Sequence, residues 1–254
     1  MGQISVFDIG IRGGVTWNLN LLITKTRAVE LEGYFVTPDK EKERPLILVS
    51  HDWTGRRQYA INKANEMAAL GYAAFAVDMY GKGVFGKDGD ADFNSQLMAP
   101  FASDRALLRA RIGSALSAAK SLSGVDPKRV GAIGYCFGGM CVLELARGGS
   151  DVRGVISVHG IFSPGAVPNE PISSKILCLH GHDDPMVPPE QVLAFEQEMN
   201  EAGADWQMHV YGGTAHAFTN PDANNPDFGT VYSERANNRA NRSVANFFSE
   251  VFDG

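Results

Sequence analysis

Short runs of uninterrupted apolar residues recur along this chain, and helical spacing follows most of them. PLILVSHD (residues 45–52), YAAFAVDMYG (72–81), RVGAIGY (129–135), VRGVISVHG (152–160) and SKILCLHG (174–181) are such runs. A strand apolar at nearly every position is one buried on both faces. VELEGYFVTP (29–38) alternates instead and ends on proline, as a solvent-edge strand does, and DWQMHVYGG (205–213) supplies a last strand. Between them lie helical segments: INKANEMAALG closed by Gly71, SDRALLRARIGSALSAAKSL with Ser103 or Asp104 placed as its cap, and FGGMCVLELARGG closed by Gly148. PPEQVLAFEQEMNEAG with proline in its first turn, and ERANNRANRSVANFFSEVF, complete the set. Strand–helix alternation predicts an α/β fold: a single layered domain with a mostly parallel central sheet, helices on both faces and no cap domain. A 254-residue chain that is 44% hydrophobic can bury one such core. Residues 23–254 are assigned to it, with 1–22 read as an N-terminal extension that fits the pattern poorly. Residues 82–102, rich in Gly and Asp, read as one long loop.

The formal net charge is −6 and no basic cluster is visible, which argues against nucleic acid as a partner. No apolar run approaches membrane-spanning length, and Asp8, Arg12, Gly13 and Gly14 interrupt anything resembling a signal peptide. Three cysteines cannot all pair within one chain, so free thiols and a cytoplasmic location are expected. The reading calls for no cofactor and no metal, and leaves the oligomeric state open.

Ligands of parallel sheets sit at the carboxyl ends of strands, so the residues just after each strand carry the chemistry. One such junction is Gly134-Tyr135-Cys136-Phe137-Gly138, the G-x-S-x-G frame of a nucleophile elbow with sulfur in place of oxygen. Gly134 and Gly138 let strand and helix approach closely. The helix N-terminus lowers a thiol pKa from its free value of about 8.5. By itself the frame equally suits a small buried cysteine; Cys141 and Cys178, in an apolar helix and strand with no such frame, are read as core. After later strands come Asp183 and Asp184 in LHGHDDPMVPPEQ, and His216 in YGGTAHAFTNP. Nucleophile, acid and histidine in that chain order suit a triad, in which the histidine moves the proton and the carboxylate orients the imidazole.

With these motifs the chain resembles the dienelactone hydrolase family of α/β-hydrolases, from about Leu31 to Phe252. GYCFGG, GHDDPMVP, GTAHAF and SHDWTG carry the resemblance. It implies Cys136 as nucleophile, His216 as base and Asp184 as acid, since the family's acid stands three residues before the Val-Pro pair, here Val187-Pro188. It also implies an oxyanion hole from the backbone N–H groups of Phe137 and Trp53. Two departures stand out. Asp52 occupies the strand-end position where the family's best-known members carry a glutamate bonded to the resting thiol; it either reaches the thiol or braces its loop. Asn220 stands where the dienelactone-cleaving enzymes carry an arginine for the substrate carboxylate, and residues 82–104 contain no arginine. A small neutral ester or lactone is therefore the expected substrate, with a weak phosphotriesterase side activity as an extension. Lys82, Lys87 and Arg57 are the reserve cations should an anion bind.

Phe85, Phe93, Phe162 and Phe218, together with Asn220, are expected to line the pocket. His51 and His159, at strand ends, could line it too. Arg105, Arg109 and Arg111 are read as a solvated helix face. Two rivals remain. One is a metal-dependent hydrolase built on His180, His182 and Asp184, an H-x-H-x-D spacing that suits Zn²⁺. The other is a non-enzymatic binding protein on a hydrolase fold.

Overall fold

The computed structural model describes residues 29–253 with their side chains, and before them the strands β1 (Ile4–Val6), β2 (Ile11–Arg12), β3 (Val15–Thr16) and β4 (Asn18–Thr26) by backbone alone. The expectation that residues 1–22 form an extension falls in part outside the described residues. Two compact units divide the chain, Met1–Ala132 and Ile133–Gly254.

In the first unit, β5 (Val29–Thr37) pairs antiparallel with β4 over nine positions, from Asn18 opposite Thr37 to Thr26 opposite Val29. Its inner half alternates, burying Leu31 and Phe35 while Glu30, Glu32 and Tyr34 stay partly exposed. β6 (Arg44–Ser50) is buried from Pro45 onward and runs parallel to β7 (Ala73–Ala76), with Leu46 opposite Ala73 and Val49 opposite Ala76. β7 also pairs antiparallel with β5. Helix α1 (Gln58–Ala69) packs Ala60, Ala64, Met67 and Ala68 inward.

The expected loop 82–102 is loop only in its first half. Helix α2 spans Ala91–Ser103, capped by Asp90, whose carboxylate accepts the Phe93 N–H at 3.0 Å. Gly83, Gly86, Gly89 and the internal Pro100 obscure it in the sequence. The next helix, α3 (Arg105–Lys120), is capped by Asp104 rather than Ser103, the carboxylate accepting the Leu107 N–H at 2.9 Å. Two arginines expected on a solvated face of α3 are instead buried, Arg105 and Arg111 each 5% exposed. Arg111 donates to the Met79 carbonyl at 2.6 Å and lies over the Phe101 ring, so burial is offset by a carbonyl and an aromatic face.

β8 (Val125–Tyr135) crosses the division between the units. In the second unit it leads into α4 (Phe137–Arg147), every residue of which is buried. β9 (Gly154–Val158), β10 (Lys175–Gly181) and β11 (Trp206–Tyr211) follow in parallel register, Leu177 facing both Ile156 and Gln207. The crossover from β9 to β10, residues 159–174, holds no helix; Pro164, Pro168 and Pro171 keep it irregular. It is secured from below by Arg147, which donates to the Phe162 carbonyl at 2.8 Å and pairs with Glu144 and Glu198. α5 (Pro189–Glu201) and α6 (Glu234–Asp253) complete the unit, α6 burying one stripe from Ala236 through Ala240, Val244, Phe247 and Phe248 to Phe252. Among the described residues no helix is long and apolar enough to cross a membrane.

Candidate active site

Cys136 stands alone between the last residue of β8 and the first of α4, with φ 54° and ψ −116°. For a residue with a Cβ this left-handed backbone is strained by about 1–3 kcal/mol and persists only where surroundings over-determine it. Here they do. Its N–H is shared between the Val158 carbonyl (3.0 Å) and His159 Nδ1 (3.2 Å), and its own carbonyl accepts from Gly139 N at 2.9 Å. The turn is so tight that a Cβ on Gly134 would lie 1.9 Å from the Gly138 carbonyl oxygen, so no other residue fits there. The three cysteines are free thiols; Cys136 is 8% exposed while Cys141 and Cys178 are wholly enclosed. Burial pushes the Cys178 thiol far up from its ordinary pKa, which removes it from reactivity at neutral pH.

His216 is delivered by the loop after β11. Its backbone is pinned on both sides: its N–H donates to the Gly229 carbonyl at 2.9 Å, and its carbonyl accepts from Val231 N at 3.0 Å. Gly181, the last residue of β10, admits this loop, for a Cβ there would lie 2.5 Å from the Thr214 carbonyl oxygen. Asp184, in the turn that follows β10, meets the imidazole: His216 Nδ1 donates to Asp184 Oδ2 at 2.7 Å. The other carboxylate oxygen accepts the Met186 N–H at 2.9 Å, so the carboxylate plane cannot turn. Asp183 is exposed and contributes its backbone N–H to the Thr214 carbonyl instead. His216 and Asp184 are 1% and 3% exposed.

His216 Nε2 is buried, and Cys136 acts on the imidazole. Burial disfavours the imidazolium, but the charge of the Cys136 thiolate, the hydrogen bonds to Asp184 and to the sulfur, and the Asp184 charge together outweigh it and raise the pKa to about 10.

The other residues singled out by sequence are distributed differently. His159 does not line a surface: it is 1% exposed, accepts from the Cys136 amide, and places Nε2 2.8 Å from Thr219 Oγ1. Phe162 and Phe218, expected in the pocket wall, are 1% and 0% exposed. Phe162 stacks on Phe195 at 4.8 Å, and Phe218 sits edge-on to His159 and Tyr211, so both are core aromatics. Asn220 is half-buried and folds its side-chain oxygen back on the Asp222 N–H at 3.1 Å.

In the first unit, Phe85 is 39% exposed and Phe93 half-buried under the Lys87 ammonium. Asp52 accepts both the N–H (2.7 Å) and the hydroxyl (2.6 Å) of Thr54, which braces the loop. The same loop is held by His51, which donates through Nδ1 to the Asp52 carbonyl at 2.5 Å and accepts the Met79 N–H at Nε2. Burial lowers the His51 pKa, in keeping with a neutral ring. With the Asp52 carbonyl so fixed, the Trp53 N–H of the same peptide is directed the opposite way. Of the reserve cations, Arg57 is engaged by Asp88 and Lys82 by Glu30.

The histidine pair of the metal alternative does not assemble: His180 is buried against Phe162, and His182 is exposed. Both Asp184 oxygens are committed. Among the described residues no three His, Cys, Asp or Glu side chains are grouped to hold a metal ion.

The model of the dienelactone hydrolase family matches residues 31–252. A crystal structure of a dienelactone hydrolase-like promiscuous phosphotriesterase from metagenomic libraries is 33% identical, covers 93% of this chain and 99% of its own, and superposes with a TM-score of 0.87. An uncharacterised protein of Caenorhabditis elegans is 36% identical over 57% of this chain and 94% of its own length. A putative carboxymethylenebutenolidase of Aquifex aeolicus is 28% identical over 76% of this chain and 83% of its own. The shared fold is α/β with a mostly parallel sheet, as the alternation of strand and helix patterns predicts.

Proposed function

The chain belongs to the dienelactone hydrolase family, whose members hydrolyse esters or lactones, and we propose that it cleaves small neutral carboxylic esters or lactones through Cys136, His216 and Asp184. The observation that carries this reading is the Asp184 Oδ2–His216 Nδ1 bond of 2.7 Å, beside a cysteine held at positive φ. Cys136 Sγ attacks the ester carbonyl carbon, and the C=O electron pair moves to oxygen. The Phe137 N–H, on the residue after the nucleophile, donates to that oxyanion. Collapse breaks the C–O bond, and His216 gives its Nε2 proton to the departing alkoxide, leaving a thioester. Neutral His216 then takes a proton from water as the water attacks the thioester. The second collapse expels the thiolate, releases the acid, and restores the thiolate–imidazolium pair. Asp184 keeps the proton on Nδ1 throughout, so that Nε2 is the nitrogen that exchanges.

Charge supports a neutral substrate. Asn220 carries none, and Arg57 and Lys82 already hold carboxylates. A substrate carboxylate desolvated without a cation costs several kcal/mol. A thiolate in neutral surroundings also attacks activated phosphotriesters, and the similarity to a promiscuous phosphotriesterase favours such a weak second activity here. Free, buried thiols suit a reducing cytoplasm.

The test is hydrolysis of p-nitrophenyl acetate and butyrate beside an anionic dienelactone. The neutral esters are expected to give the higher kcat/KM, and Cys136→Ala to lose nearly all of it while keeping the fold. An anionic lactone preferred by about tenfold or more overturns the substrate assignment. Full activity in Cys136→Ala overturns the mechanism.

A further inference from the structure

The geometry points to His159 as a positioning residue that, with Thr219, holds the nucleophile's backbone in its strained conformation; this rests on Cys136 being the nucleophile. Three contacts define the role. His159 Nδ1 accepts the Cys136 N–H at 3.2 Å, Nε2 meets Thr219 Oγ1 at 2.8 Å, and the ring lies edge-on to the His216 ring with centroids 5.2 Å apart. All of this is enclosed, His159 being 1% and Thr219 2% exposed.

Because Nδ1 accepts a backbone N–H, the ring proton sits on Nε2 and is donated to the threonine oxygen. The ring is therefore neutral, for a proton on Nδ1 would set donor against donor. Its orientation is fixed at both ends, and its face and edge are packed by Phe218 and His216. His159 itself holds φ 38°, an uncommon value for a side-chain-bearing residue. Two strained residues, Cys136 and His159, thus lean on one another at the ends of adjoining segments. Releasing the clamp lets the Cys136 peptide relax toward ordinary backbone, which swings Sγ away from His216 Nε2. The consequence falls on the chemical step rather than on substrate binding, since His159 is sealed from solvent.

The replacements separate the hydrogen bond from the packing. In asparagine the oxygen is attached to Cγ as Nδ1 is in histidine, and asparagine tolerates positive φ, so His159→Asn keeps an acceptor for the Cys136 N–H. His159→Phe keeps the ring and loses both hydrogen bonds. Thr219→Val removes only the ring's partner.

The experiment measures kcat and KM for p-nitrophenyl acetate in the three variants, and the rate of Cys136 alkylation by iodoacetamide. His159→Phe is expected to lower kcat about 10–100-fold with KM unchanged, the loss typical of a small misplacement of a reacting group. His159→Asn is expected to recover most of that loss, and Thr219→Val to show a smaller fall of the same kind. Should His159→Phe fail to fold, the asparagine and valine variants carry the test alone. Wild-type kcat in both His159→Phe and Thr219→Val overturns the proposal, as does an asparagine variant no better than phenylalanine. Ester hydrolysis by Cys136→Ala keeps the two hypotheses apart. If Cys136 is not the nucleophile, Cys136→Ala retains ester hydrolysis, whatever happens to alkylation in the His159 variants.

Discussion

Asp184→Asn tests the site where its geometry is most definite. In the native protein one carboxylate oxygen takes the Met186 N–H at 2.9 Å and the other takes His216 Nδ1–H at 2.7 Å. An asparagine must place its oxygen on one and its NH₂ on the other. The Met186 N–H can only donate, so the oxygen goes there and the NH₂ faces His216 Nδ1. Two outcomes follow from that single constraint. A neutral imidazole accepts from the NH₂ only by moving its proton to Nε2, the tautomer that cannot act as a base. An imidazolium meets donor with donor, so the pKa raised to about 10 in the native protein falls. In a serine hydrolase triad the equivalent change costs about 10⁴-fold in kcat. A thiol needs less help from its base, so a loss of about 10³-fold or somewhat more is expected. The assay is kcat for p-nitrophenyl acetate, with Asp183→Asn as control. The exposed Asp183 side chain should make no difference beyond about twofold. A kcat for Asp184→Asn within about tenfold of wild type, or greater damage in Asp183→Asn, refutes the reasoning.

Titration gives a second check. A His216 pKa raised in the folded state contributes stability that is complete below the unfolded pKa of about 6.5 and is lost as pH rises through about 10. The Tm advantage of wild type over Asp184→Asn should therefore shrink across that window; a constant difference would contradict it. Alkylation at neutral pH should modify Cys136 far faster than Cys141 or Cys178, by peptide mass analysis, because burial holds the Cys178 thiol protonated. Asp52→Asn distinguishes two roles for its carboxylate: faster alkylation of Cys136 indicates a charge acting on the thiolate, while an unchanged rate leaves only the brace on Thr54. Gly134→Ala drives a methyl group to 1.9 Å from the Gly138 carbonyl oxygen. It should yield little folded protein, or a Tm many degrees lower, on a scale of about 3 kcal/mol or more; a native-like Tm would show that the elbow can open.

The contrast between sequence and structure follows from the range over which each constraint acts. Buried strands and amphipathic helices are legible because periodicity is local: β6, β7, β9 and β10 stand out as apolar runs, and the stripe of α6 as spacing of three and four. The elbow is legible for a similar reason, since glycines two residues either side of a cysteine are needed by a turn only a few residues long. Helix α2 escaped because glycines lead into it and Pro100 lies inside it; the cap formed by Asp90 is a stronger signal than the composition around it.

What only the tertiary structure decided depends on groups far apart in the chain. The partnership of Asp184 and His216 spans 32 positions, and which of two adjacent aspartates faces the ring is set by a turn that sends Asp184 inward and Asp183 to solvent. Phe162 and Phe218 look the same in sequence as the exposed Phe85, yet they are core because β10, α5 and β11 close over them. Arg105 and Arg111 have the spacing of a solvated face, but a carbonyl and an aromatic ring supplied by other segments draw Arg111 inward. His159 shows no sequence signal beyond its place at a strand end. Its contacts reach the Cys136 amide 23 positions earlier and a threonine hydroxyl 60 positions later, and hydrogen bonds of that kind exist only once the chain has folded to bring both within 3.2 Å.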